Sequence, residues 1–285
     1  MPVMIFQNEA MVGLIDSLKA TFPVVATLVM VWLFTLAPTA QQAQPIITPI
    51  PETGGSVDEA FLDPAPYINA LVVVGVMAVG GVVFVFLMRR PIVLKVLGSV
   101  LITIISFSTT TYNLLFLTQM PVWAIFTVGA LVTSWVLISV LKIGGWLSAL
   151  ASAYVGSSAG VVLGESLPFW TAIVLILAVS GYDLLAVSFG HLKALSSFDV
   201  GPIPGFMVDY GGMSIGMGDL FFYSIAQSFS LSRFGIIAGL FASLGIFIGF
   251  IATAQLAYRR KIVAGLPIPL TLSLALAYLA THLPQ

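Results

Sequence analysis

The 285-residue sequence has no cysteine, two histidines (His191 and His282) and only 7% charged residues. Without thiols there is no disulfide framework, thiol nucleophile, haem-attachment motif or cysteine zinc site. Two histidines offer little to a metal, no HExxH string is present, and no metal or other cofactor is expected. Ten Lys and Arg against eleven Asp and Glu leave a net charge of -1, too little cationic surface to track phosphates, so nucleic acid is excluded as a partner. Soluble domains carry about 25% charged residues. With 59% hydrophobic residues and a mean hydropathy of +1.11, this chain has the composition of a polytopic membrane protein in a lipid bilayer. The expected fold class is all-α.

Apolar stretches near the 17–25 residues that cross a bilayer run over 21–37, 67–88, 92–113, 120–141, 145–164, 168–190, 213–231, 233–257 and 266–283. About nine transmembrane helices are predicted. The far half of the third is polar from Ser106 to Asn113; it either ends early, leaving eight, or turns these hydroxyls toward other helices. Lys and Arg accumulate on cytoplasmic loops. With the amino terminus cytoplasmic, Lys19, Arg89, Arg90, Lys95, Lys142, Lys193, Arg259, Arg260 and Lys261 lie inside and only Arg233 outside. Nine against one supports the odd helix count and puts the carboxyl terminus outside. Residues 19–40 could instead read as a secretory signal, but Glu9 and Asp16 before the apolar run and the poor small-residue spacing argue against cleavage. The division expected is 1–190 with helices one to six, a cytoplasmic loop over 191–212, and 213–285 with helices seven to nine.

Asp183 and Asp219 stand inside these apolar spans. A mid-membrane Asp costs roughly 2.5–3.5 kcal/mol, and such residues usually face a bundle interior or a wet cavity. At 1.5 Å per residue, Asp183 lies roughly 10 Å from the cytoplasmic end of helix six. Asp219 enters helix seven from the same side, so the two stand at comparable depth on consecutive antiparallel helices. Two carboxylates a few ångströms apart cannot both ionise and titrate as a unit. One can then deprotonate a water while the other protonates a scissile carbonyl oxygen.

Tyr182 precedes Asp183, and Asp219 closes Gly216-Met217-Gly218-Asp219. These YD and GxGD strings resemble the signatures of the presenilin and signal-peptide-peptidase family of intramembrane aspartyl proteases. The compact length is most like archaeal or other prokaryotic homologues. Chance supplies a GxGD string in this composition roughly 0.06 times, and helix count, orientation and motif order agree with the resemblance. The family's third motif, PAL, opens helix nine. Its match here is looser: Ala264-Gly265-Leu266-Pro267 keeps the leucine and proline, while the register Pro267-Ile268-Pro269-Leu270 keeps the first proline without the alanine. Proline at a helix start is also ordinary helix initiation.

The resemblance implies a presenilin-like bundle and an aspartic endopeptidase of the GxGD type in a prokaryotic cell membrane. Asp183 and Asp219 would be catalytic, with Tyr182, Gly216, Met217, Gly218, Gly265, Leu266 and Pro267 shaping the substrate site. Substrates would be single-pass transmembrane proteins or signal peptides, admitted laterally and unwound near the dyad. A homo-oligomer is compatible with the sequence. The loop over 191–212, with Asp199 and Asp209 among Gly, Pro and Ser, is a candidate cover for the site or a strand partner for substrate.

Plainer readings stand beside these. The aspartates could be structural, paired with Tyr182, Lys193 or serines, although no basic residue inside the spans neutralises them. Gly216 and Gly218 could serve close helix packing, the role assigned to Gly235 and Gly239, Gly245 and Gly249, and Gly156, Gly160 and Gly164. His191 and His282 are read as interfacial. Gly212-Met213-Ser214-Ile215-Gly216 matches the serine elbow GxSxG, which needs a strand-to-helix turn and a base in reach; this segment is read as opening a transmembrane helix far from either histidine. A proton- or sodium-coupled transporter would also use buried aspartates and broken helices, but no internal repeat relates the two halves. A non-catalytic assembly factor would account for the glycines and not for the dyad.

Overall fold

The computed structural model describes residues 19–36, 48–52, 61–87, 90–188, 205–260 and 263–282. Nine α-helices are found among them: α1 (Phe22–Thr35), α2 (Ala65–Leu87), α3 (Pro91–Leu117), α4 (Val122–Ile138), α5 (Gly145–Ser166), α6 (Phe169–Ser188), α7 (Met217–Phe234), α8 (Ile236–Arg260) and α9 (Pro267–Thr281). Prolines sit in the first turns of α1, α3 and α9, where the missing N–H would have had no partner and φ is already helical. A π-helical turn, Ser139–Ile143, extends α4 toward α5.

Six helices (α2 to α6 and α8, α4 counted with its π turn) are long and apolar enough to cross a membrane; α1 and α9 are apolar but shorter. The chain is an integral membrane protein. The ninth, α7, carries Asp219, Gln227, Arg233 and four serines, and every residue from Phe222 to Leu231 is buried. It is the axis of the bundle, surrounded by α1, α5, α8 and α9. Protein rather than lipid covers it, and Gln227 Nε2 donates to the Leu28 carbonyl at 3.1 Å and to Ser243 Oγ at 2.9 Å.

The α5–α7 seam depends on Gly156, Gly160 and Gly164. A Cβ at Gly160 would collide with Ser224, and one at Gly164 with Ser228. Gly245 and Gly249 bring α8 equally close to α9, where a Cβ at Gly249 would lie 2.5 Å from Pro269 Cα. These glycines pack helices, as their spacing suggests. The polar half of α3 is continuous helix. Its threonines bond back to carbonyls four residues earlier and across to neighbours, Thr109 to Ser158 at 3.0 Å and Thr110 to the Tyr154 hydroxyl.

The all-α class holds with one addition, and one boundary is corrected. β1 (Met207–Tyr210) and β2 (Met213–Gly216) form an antiparallel hairpin, with Met207 opposite Gly216 and Tyr210 opposite Met213. The seventh helix therefore begins at Met217 and not at 213, and runs to Phe234. Gly211 (φ 62°) and Gly212 (φ 81°) make the two-residue turn. Positive φ at both central positions suits the twist of paired strands and costs glycine little. The hairpin lies at the end of the bundle where odd-numbered helices begin. It is seated there by Phe22 against Tyr210 and Phe84 against Phe206, with ring centroids 5.1 and 4.9 Å apart.

Candidate active site

Asp219 occupies the first turn of α7, three residues after the N-cap Gly216. A carboxylate there meets the unpaired N–H groups and positive end of the helix dipole. Asp183 lies in the last turns of α6. The two helices bring their acids to one place, the segment that leads into α9. Asp183 Oδ2 accepts the Leu266 N–H at 2.9 Å. Gly265 lies against the other acid, since a Cβ on it would stand 2.6 Å from Asp219 Oδ2. Both carboxylates thus border the single peptide joining Gly265 to Leu266, and standard peptide dimensions keep the Oδ2–Oδ2 separation below about 9.5 Å. Each is partly exposed.

A cavity of about 410 Å³ opens beside Asp219, between β2, α7, the last turns of α8 and the approach to α9. Tyr223, Thr253 and Gly265 line it on one side, and Gly212 to Ile215 on another. Among the described residues β2 pairs with β1 along one edge only, and its other edge has N–H and C=O groups without a ladder partner there.

The residues singled out from sequence divide. Asp183, Asp219, Gly216, Gly265 and Leu266 converge, with Gly216 at ordinary contact distance, 3.4 Å from a Cβ built on it to Asp219 Oδ2. Leu266 is buried in the main core, and Pro267 begins α9 behind it. In the other PAL-like register, Pro269 and Leu270 lie within α9, Pro269 against Gly249. Met217 turns away into a second core with Ile102, Val136 and Val155. Gly218 is exposed and a Cβ there would meet nothing. The Tyr182 hydroxyl faces Gly81 of α2, 3.3 Å from where a Cβ would be.

Ser180 donates within its own helix to the Ile176 carbonyl. Lys193, Asp199 and His191 lie outside the described residues. His282 ends α9 at the far end of that helix, against Tyr278. The GxSxG segment is a hairpin turn, a strand and a helix start, contrary to the helical reading, but Ser214 lies within β2 opposite Asp209 and not at a strand-to-helix turn. Its hydroxyl donates to Asp209, and among the described residues no histidine is near it. Sequence reasoning missed Tyr223 and Thr253. Tyr223 was findable, because it stands four residues after Asp219 and so on the same helix face.

An apolar bundle in which two helices bring aspartates together at a broken approach to a third belongs to a known architectural class. The fold is presenilin-like. The chain is similar to a solved presenilin-family intramembrane aspartate protease, with a TM-score of 0.63 over 93% of this chain and 99% of that one, at 17% sequence identity. No protein-family model and no curated protein matches the sequence. At this identity the likeness is one of fold.

Proposed function

We propose that the protein is an intramembrane aspartyl protease of the GxGD type, with Asp183 and Asp219 as its general acid and base. The observation that carries this is the meeting of both carboxylates at the Gly265–Leu266 peptide, beside a cavity, where α6 ends and α7 begins. The presenilin-like fold supports it; the transporter reading gains no support from that fold.

A helical peptide bond inside a bilayer is shielded, because its backbone hydrogen bonds are already made. Hydrolysis needs water and a partner for unwound backbone. The cavity offers room for the first, and the unpaired edge of β2 offers hydrogen bonds for the second. In the reaction, one carboxylate removes a proton from water as its oxygen bonds to the scissile carbonyl carbon, and the other carboxyl group gives its proton to the carbonyl oxygen. Collapse of the tetrahedral diol passes a proton to the amide nitrogen, the C–N bond breaks, and the products are a new carboxyl and a new amino terminus. The substrates are single-pass transmembrane helices or signal peptides, and the charge asymmetry of the loops puts the dyad near the cytoplasmic side.

The test is a purified, reconstituted protein and a fluorogenic single-span substrate. Asp183→Asn and Asp219→Asn are each expected to lower cleavage by 10³-fold or more, on the order of a general acid–base contribution; cleavage surviving in both sinks the reading. Ion flux through the wild-type protein in empty liposomes would favour transport instead. The pH profile of kcat/KM is expected to be bell-shaped, since one carboxyl must hold its proton and the other must lose it. A flat profile across the titration range counts against a shared-proton pair.

A further inference from the structure

We infer that Tyr223 is a positioning residue, which grips the carbonyl of the Gly265–Leu266 peptide and through that peptide aims the opposite N–H at Asp183. The inference rests on the protease reading and deepens it by adding a residue to the machinery. Its basis is one peptide unit held at both ends. The Tyr223 hydroxyl donates to the Gly265 carbonyl at 2.8 Å, and the Leu266 N–H of the same unit donates to Asp183 Oδ2 at 2.9 Å. A trans peptide is planar, with its C=O and N–H pointing in opposite directions. Fixing the oxygen therefore fixes the direction of the N–H.

The grip is stiff. Tyr223 is 1% exposed and its ring belongs to the main core with Leu220, Phe222 and Leu266. It stands one helical turn from Asp219, so α7 presents an acid and the anchor of the other acid's donor on one face. Gly265 completes the arrangement, because only a residue without Cβ lets this peptide approach Asp219 so closely. Asp183 on α6, Asp219 and Tyr223 on α7, and the start of α9 are thereby tied through two hydrogen bonds. A tyrosine core position alone would explain the ring; it does not explain a hydroxyl directed at the peptide between the acids. Tyr223 lines the cavity, yet its proton is committed to Gly265, which separates it from a direct proton donor.

Three variants test this in reconstituted full-length protein: Tyr223→Phe, which removes the hydroxyl; Leu266→Pro, which removes the N–H at the other end of the same peptide; and the double variant. Active sites are counted by titration with a peptide isostere bearing a hydroxyl in place of the scissile carbonyl, so that losses of folded protein do not enter kcat. Tyr223→Phe is expected to lower kcat per site on the order of 10- to 100-fold with KM unchanged, as for a small misplacement of a reacting group. Affinity for the hydroxyl isostere falls in parallel, while affinity for an uncleaved substrate-like helix holds. Because both single changes act on one peptide, the double variant loses little beyond Leu266→Pro alone. An unchanged kcat per site in Tyr223→Phe overturns the inference, and so does strict additivity in the double variant. A fall to the level of Asp183→Asn also overturns it, by making the tyrosine a group that touches the reacting atoms. Wild-type cleavage untouched by either aspartate substitution is the separate result that removes the protease reading itself, and this inference with it.

Discussion

The helices α7 and α2 are opposites in composition and in surroundings, and each explains the other. α2 is the most apolar span, yet only 6% of its central window is buried by protein. It packs chiefly along α6, and most of its side chains are left for lipid. α7 has serines, a glutamine, an aspartate and an arginine, and its middle is wholly buried. In water the apolar helix would be inside. In a bilayer hydrocarbon is the solvent, so polarity retreats to the place where partners exist.

Breaking that contrast at the site end of α7 gives the largest effect. Gly265→Ala puts a methyl 2.6 Å from Asp219 Oδ2. The carboxyl group is the mobile end of a side chain and can swing aside, so function suffers more than folding. Cleavage is expected to fall on the order of 100-fold, with a thermal midpoint in detergent close to wild type; equal activity would show that Asp219 does not need its present orientation. Next comes a matched pair in the two helix environments. Gly160→Val forces apart the α5–α7 seam and is expected to cost about 1–3 kcal/mol. Gly80→Val on α2 has nothing within 4 Å and is expected to stay within about 0.5 kcal/mol. If thermal unfolding ranks the two alike, the contrast between a wrapped axis and a lipid-facing outrigger is wrong.

How much of this was legible in sequence follows from the same physics. Hydropathy marked where the helices of the described residues lie, because a bilayer demands long apolar runs, but only six of them are long and apolar enough to cross a membrane. The two aspartates stood out because so few charged residues share the spans. The hairpin escaped because Met213 to Gly216 is as apolar as a helix start, and periodicity cannot separate a four-residue strand from a helical turn. The turn chemistry was nevertheless present in Tyr210-Gly211-Gly212-Met213, two glycines between short apolar runs. Met217 and Tyr182 came with the GxGD and YD strings; residues one or two apart on a helix point to different sides, so one entered the second core and the other faced α2. The Gly265–Leu266 peptide acts through backbone groups, which no side-chain pattern announces.

The smallest expected effect sharpens the comparison from the α2 side. At the end remote from the aspartates, the chain before α2 is clasped to two helices at once. Asn69 of α2 accepts the Ile50 N–H at 3.1 Å, donates to the Ile50 carbonyl at 2.8 Å, and reaches Thr171 of α6 at 3.2 Å. Glu52 accepts the N–H groups of Trp170 and Thr171 in the first turn of α6, where a carboxylate meets the positive end of the helix. These bonds add a polar clasp to the packing of α2 along α6. Asn69→Ala is expected to loosen the clasp by about 1 kcal/mol, the net worth of a hydrogen bond or two, and Glu52→Gln by a similar amount, since the amide keeps one acceptor and turns its NH2 toward the other N–H. The loss should be local: faster hydrogen exchange over 48–52 and at the start of α2, with the thermal midpoint of the bundle unmoved, because α7 and its seams bear the global stability. A midpoint that falls as far as in Gly160→Val would make α2 part of the cooperative core, and the two helices would no longer be opposites.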